Sequence, residues 1–345
     1  MKYYSLSKID KCKTAYRLII GKRSNGKTYA VIHKGIEEFL KTGKKFAYIR
    51  RYRDDITAPN LSQLLDPHNV EEMSAGQWDG VDYRSRQFYF TYTEDGKKYK
   101  SDPVCDTFAL NTWERSKGAD RGEYSLIIFD EFITRDQYLK DEVNIFLNVI
   151  SSLMRNRTGT PIYMIANTVS QFCPYFADFG INPAELEQGK IYTPRDNVAI
   201  EYCADNGAAT ADYFRGFKQS KISMITRGAW EIRDYARLEN SYKEYNFVMR
   251  FFIEFRDRTI CGEMREGNGH LFLYFYPFTG EIKDRENTII YSPKTSGNVL
   301  HGKDIKYQPT SAHKLIAELI TNDKVFYSDN MTGEGVRAFV QGVSA

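Results

Sequence analysis

Apolar residues first gather in a short run, "YRLII" at 16–20, that leads directly into glycine and reads as a strand. In the following "KTYAVIHKGIEEFLKTG", Val31, Ile32, Ile36, Phe39 and Leu40 recur at helical spacing, and Gly43 is placed to end the helix. "KFAYIR" reads as a second strand. Residues 83–110 predict a β-hairpin, alternating in "RQFYFTY", turning at Asp95-Gly96 and returning through "PVCDTFAL". "YSLIIFDEF" is an apolar run between charges, the pattern of a strand buried on both faces. "DQYLKDEVNIFLNVISSLMRNR" then sets Val143, Phe146, Leu147, Ile150, Leu153 and Met154 on one helical face, and "PIYMIAN" predicts another buried strand. Strands alternating with helices imply a mainly parallel sheet under covering helices.

Past residue 195 the pattern weakens. Residues 196–232 are polar, small and weakly periodic, which predicts a linker subdomain. From Tyr245 the chain is strand-heavy, with a turn at Gly267–Gly269, and a late amphipathic helix, "SAHKLIAELITND", follows. The expected organisation is an α/β domain over 1–195, a linker over 196–232 and an α+β domain over 233–345.

Composition narrows the compartment more than the function. No window approaches the roughly 20 apolar residues of a membrane span, and "MKYYSLSKIDKCK" lacks a signal-peptide hydrophobic region, so export is not expected. Cys12, Cys105, Cys173, Cys203 and Cys261 lie far apart without CxxC spacing, against zinc or a disulfide framework and for a reducing compartment. Net charge is +3, so any polyanion must meet a local patch.

Gly21, Lys22, Arg23, Ser24, Asn25, Gly26, Lys27 and Thr28 match G-x-x-x-x-G-K-[ST] at every fixed position, between a strand and a helix. In such a loop backbone N–H groups face phosphate oxygens, and the helix N-terminus adds favourable dipole charge. Lys27 is then the β/γ-phosphate cation and Thr28 the Mg²⁺ ligand of an ATP site. Asp130-Glu131 closes the apolar run 126–129, at the C-terminal strand end where open α/β sheets bind ligands. Asp130 suits Mg²⁺ through water and Glu131 suits the attacking water. The intervening hairpin segment predicts an added strand between the two motif strands, which points to the ATP-hydrolysing branch of P-loop proteins.

Asn167, ending "PIYMIAN", is placed to sense a γ-phosphate or simply to cap a turn. Arg155 and Arg157 end the amphipathic helix; arginine from a neighbouring subunit can stabilise phosphoryl transfer, and the helix dipole alone also favours arginine there. Arg50, Arg51 and Arg53 in "YIRRYRDD", with Lys117 in "WERSKG", concentrate positive charge near this face. That charge reads either as a solvated rim or as an intersubunit site and a path for a phosphate backbone.

The series "GKRSNGKT", "FAYIRRYRDD", "WERSKG", "LIIFDEF", "MRNR" and "ANTVS" resembles the DNA-packaging ATPase (encapsidation protein) family of short-tailed podoviruses, relatives of the large terminases, across residues 16 to about 175. The resemblance implies an additional-strand P-loop ATPase domain, a small linker and an RNase H-like C-terminal domain. It implies a homo-oligomeric ring, a pentamer by that likeness. The ring would pump double-stranded DNA with ATP and Mg²⁺ through the portal of a procapsid in the host cytoplasm, with a structural packaging RNA as a further possible partner. By the same resemblance Lys27, Thr28, Asp130 and Glu131 form the hydrolysis set, Arg155 a finger acting in trans, Lys117 a lysine acting across the subunit boundary, and Arg53 a DNA contact. Arg23 is then a phosphate-proximal sensor or a trans contact.

One departure stands out. A two-metal nuclease needs several converging carboxylates, yet "YNFVMRFFIEFRDRTICGEM" offers Glu254 as its central acid, with Asp257 and Glu263 flanking a turn-like stretch. The C-terminal domain is therefore expected to lack nuclease activity and to serve docking or DNA grip. Other P-loop motors, such as a helicase or a DNA-transfer ATPase, and a slow nucleotide-gated assembly protein are the competing readings.

Overall fold

A computed structural model describes residues 4–61, 64–116, 122–135, 138–155, 157–204, 228–230, 233–255, 258–292, 299–300 and 311–340. The chain divides into two compact units, one of residues 1–135, 141–171 and 178–230, the other of 136–140, 172–177 and 231–345.

The first unit is built on nine strands: β1 (Tyr16–Gly21), β2 (Phe46–Arg50), β3 (Gly80–Arg84), β4 (Gln87–Glu94), β5 (Lys97–Ala109), β6 (Ile127–Asp130), β7 (Ile162–Asn167), β8 (Ile191–Arg195) and β9 (Val198–Tyr202). Their lateral order is β3-β4-β5-β2-β6-β7-β1-β9-β8. The strands from β5 to β9 in that order run parallel, while β4, β3 and β8 add antiparallel edges. The expected α/β class and the hairpin are both present. Asp95 and Gly96 stand at φ 48° and 72°, the left-handed pair that a tight two-residue hairpin turn requires.

Helices α1 (Lys27–Thr42), α2 (Ala58–Leu61), α3 (Pro67–Met73) and α4 (Glu142–Met154) belong to this unit. The stripe Val31, Ile32, Ile36 and Phe39 of α1 is buried against Phe46, Tyr48 and Ile128 of the sheet. Leu147 of α4, expected on the apolar face, is 45% exposed, whereas Phe146, Ile150 and Leu153 are buried.

Two expectations change. The strand between β1 and β6 is β7, not a strand of the hairpin, which lies beyond β2 on the other side. Sequence order does not fix lateral order when crossovers are long. The sheet also continues past residue 195: β9 pairs with β1 from Tyr16↔Val198 to Ile20↔Tyr202, and all five of its residues are buried. Of the expected linker, residues 205–227 and 231–232 lie outside the described residues.

The second unit holds α5 (Pro174–Asp178), most of whose residues belong to it, with β10 (Asn246–Phe255), β11 (Arg258–Gly267), β12 (His270–Phe278), β13 (Ile290–Tyr291), β14 (Val299–Leu300), β15 (Val325–Tyr327), α6 (Ser311–Thr321) and α7 (Asn330–Val340). Its sheet runs β14-β13-β10-β11-β12-β15. β10, β11 and β12 form an antiparallel meander, and β13 and β14 extend it parallel to β10. Phe251, Ile253, Met264, Leu273 and Phe275 fill the core, joined by Ile316 of α6, Phe339 of α7, Phe172 and, partly buried, Tyr138.

Candidate nucleotide site

Parallel register brings three strand ends together. Gly21 of β1 sits beside Asn167 of β7, and Asp130 of β6 beside Ile165, so loop, carboxylates and asparagine share the C-terminal edge of the sheet. Gly26 precedes α1 at φ 88°, a left-handed conformation that costs a residue with Cβ about 1–2 kcal/mol. It aims the first turn of α1 at a cavity of about 390 Å³ lined by loop residues with Asp130, Glu131 and Asn167.

Lys27 is 5% exposed. Its Nζ donates to the carbonyl of Lys22 at 2.6 Å and to Oδ1 of Asn25 at 3.1 Å and of Asn167 at 3.3 Å. Burial lowers this ammonium from its ordinary range to about 8. Asn167 thus joins the loop lysine directly. Thr28 Oγ1 lies 3.4 Å from both oxygens of Asp130. Burial pushes the Asp130 carboxyl up, while Arg50, the Tyr48 hydroxyl (2.9 Å) and the Glu131 N–H (3.0 Å) favour its charged form. Thr28 Oγ1 and the Asp130 carboxylate oxygens are grouped beside a cation-lined loop, a set that suits a hard divalent ion and a polyphosphate.

Glu131 stands at φ 60° with its side chain half exposed, and Nη2 of Arg50 donates to its Oε2 at 2.7 Å. Arg51 is buried and bound to Glu142. Among the described residues the expected cationic rim is therefore smaller: Arg51 is sealed in, Arg50 is mostly covered and Lys22 is buried, while Arg23 and Arg53 are exposed. Tyr48 and Glu142 escaped the sequence reading; a tyrosine inside an otherwise apolar strand next to β6 was the available signal for the first.

Arg157 lies at the other edge of the sheet, two residues after Arg155. Arg155 follows α4 at φ 40°, exposed. Arg157 donates to the carbonyl of Gly122 and faces Glu123, both ahead of the start of β6. Lys117 lies outside the described residues.

A model of the podovirus DNA encapsidation protein (Gp16) family matches residues 1–259. The chain belongs to that family. The resemblance read from the motif series is thus borne out. Among relatives of this encapsidation-family chain, the DNA packaging protein of Bacillus phage phi29 is 29% identical over 202 residues, covering 58% of this chain and 55% of that protein. The DNA packaging protein of Bacillus phage B103 is 32% identical over 188 residues, 53% of this chain and 52% of that one. The chain spans about half the length of the curated relatives it matches. Two solved structures share the encapsidation chain's fold over nearly its full length. The phi-28 gp11 DNA packaging motor has a TM-score of 0.58 at 13% identity, covering 98% of both chains. The bacteriophage phi-29 genome packaging motor assembly has a TM-score of 0.57 at 20% identity, covering 99% of both. At these identities the likeness is one of fold.

Proposed function

We propose that the chain is the ATPase of a viral DNA-packaging motor, a homo-oligomeric ring at the portal vertex of a procapsid that drives double-stranded DNA inward. The observation that carries this is the meeting of Lys27, Thr28, Asp130, Glu131 and Asn167 at one strand-end cavity, in a chain whose relatives are DNA packaging proteins. Lys27 and the loop N–H groups would hold the β/γ-phosphates, and Thr28 and Asp130 would hold Mg²⁺. The ion, when bound, supplies neutralising charge for the phosphates. Glu131, half exposed beside Thr28, would orient water, and its bond to Arg50 must loosen for the carboxylate to do so. Asn167, already on Lys27, would register the γ-phosphate.

Arg155 would serve a neighbour's site. Arg157, two residues further on, binds main chain ahead of β6, at the sheet edge opposite the loop, and a six-residue strand such as β7 sets the two edges about 20 Å apart, which favours action in trans. Arg53, exposed beyond β2, remains the DNA contact of choice, and Lys117 keeps its cross-boundary role from the resemblance alone.

For the second unit we favour an RNase H-like domain without nuclease activity. Strand order β12-β11-β10-β13-β14, with three antiparallel strands followed by two parallel ones, supports the fold. Of the three candidate acids, the two that are described are engaged by guanidinium groups. Arg285 grips both oxygens of Glu254, and Arg250 and Arg265 bind Glu263. Asp257 lies outside the described residues.

The test is phosphate release with and without double-stranded DNA, beside binding of an ATP analogue. Lys27→Ala should abolish binding. Glu131→Gln should bind normally and lose roughly 10²–10⁴-fold in turnover. Unimpaired turnover in Glu131→Gln refutes the assignment.

A further inference from the structure

Arg51 is 4% exposed and Glu142, at the first position of α4, is 2% exposed. Nε and Nη2 of Arg51 donate to the two carboxylate oxygens of Glu142 at 2.8 and 3.0 Å. The same guanidinium also reaches the main chain after β6: Nη1 donates to the carbonyl of Glu131 at 3.0 Å and Nη2 to that of Phe132 at 2.9 Å. It sits over the Phe129 ring at 5.9 Å. Only arginine offers a planar fork that serves a carboxylate and two carbonyls together. Glu131 itself holds φ 60°, a left-handed conformation that persists in a residue with Cβ when its surroundings over-determine it. Its side chain, in contrast, is half exposed and lines the cavity beside Thr28.

We infer that the buried Arg51–Glu142 pair is the positioning device for Glu131. Arg51 fixes the carbonyls of Glu131 and Phe132, and so fixes the direction in which the Glu131 carboxylate leaves the backbone. Glu142 holds the fork in place and ties it to the first turn of α4, the helix whose far end carries Arg155. The inference rests on Glu131 as the water-orienting carboxylate; Arg51 itself touches no substrate and acts through that residue.

The test uses the full chain with two variants. Arg51→Met/Glu142→Leu removes both charges together, so no buried charge is left unpaired, a replacement that folded proteins commonly accept. Arg51→Lys keeps the charge and the partner but loses the fork. Each should melt as the parent does and bind the ATP analogue with unchanged affinity. KM should stay within about twofold while kcat falls about 10- to 100-fold, the cost of a small misplacement of a reacting group. In a Glu131→Gln background either change should lower residual single-turnover rate no further, because the residue it acts through is gone. Parental kcat in a variant that folds and binds overturns the inference, as does an additive loss in the Glu131→Gln background. A dead Glu131→Gln beside a fully active double variant sinks the positioning role alone. A fully active Glu131→Gln sinks the water-orienting role, and the positioning role with it.

Discussion

Removing Arg155 separates two geometries by magnitude alone. If the guanidinium acted on its own subunit's phosphates, it would do so across about 20 Å. In water that charge pair is worth about 0.2 kcal/mol before salt screening, or a rate change of roughly 1.4-fold. If it enters a neighbour's site, its loss should cost about 10³-fold or more in turnover with nucleotide binding nearly intact. Mixing Arg155→Ala with Glu131→Gln protein then decides the direction. Each variant alone is inactive, yet in randomly mixed rings about one interface in four pairs an intact Glu131 with an intact Arg155. Phosphate release should therefore return on mixing, towards a quarter of the parental rate. Parental turnover in Arg155→Ala, or no recovery in rings shown by native mass spectrometry to be mixed, would refute the reasoning.

Two further outcomes follow from buried charges. Burial holds Lys27 near 8 against an ordinary value of 10.5, so the unfolded chain binds more protons between those pH values. Stability should therefore rise with pH across about 8 to 10.5, by up to about 3 kcal/mol from this group, and urea melts of Lys27→Met should lose that slope. Glu263 is 1% exposed and engages Arg250, Arg265 and Tyr276. Glu263→Gln should lower stability by about 3 kcal/mol in thermal melts, and neither it nor the parent should cut supercoiled plasmid with Mg²⁺ or Mn²⁺.

The glycine loop before α1 and the strand that ends in Asp130-Glu131 were legible because their signals are local: fixed spacing, a glycine before a helix, an apolar run ending in acid. The hairpin was legible for the same reason, since Asp95-Gly96 sets its own turn. β9 was not, because five residues within a polar, small-residue stretch show too little period, although the sheet buries all of them. Arg51 read as surface charge since a strand-end arginine usually is. Its partner Glu142 lies 91 residues away, and only the fold brings the two together. Lateral strand order was hidden likewise: "PIYMIAN" reads as a strand, but nothing in it says that it lies between β1 and β6.

The interleaving of the two units bears on how the chain is made. Phe172 is 7% exposed within the second core, among residues that include Phe255 and Phe339. A ribosome reaches Phe255 about 80 residues later, which at roughly 5–20 residues per second is several seconds. Through that interval Phe172 is already synthesised, while Phe255, Phe339 and the strands of its core do not yet exist. The amino-terminal sheet can pair fully in the meantime, since β9 ends at residue 202. The nascent chain thus carries an apolar side chain in waiting, and domain-by-domain folding from the amino terminus stops short of it. Slowing translation downstream of residue 204 should lengthen chaperone dependence without touching the finished protein.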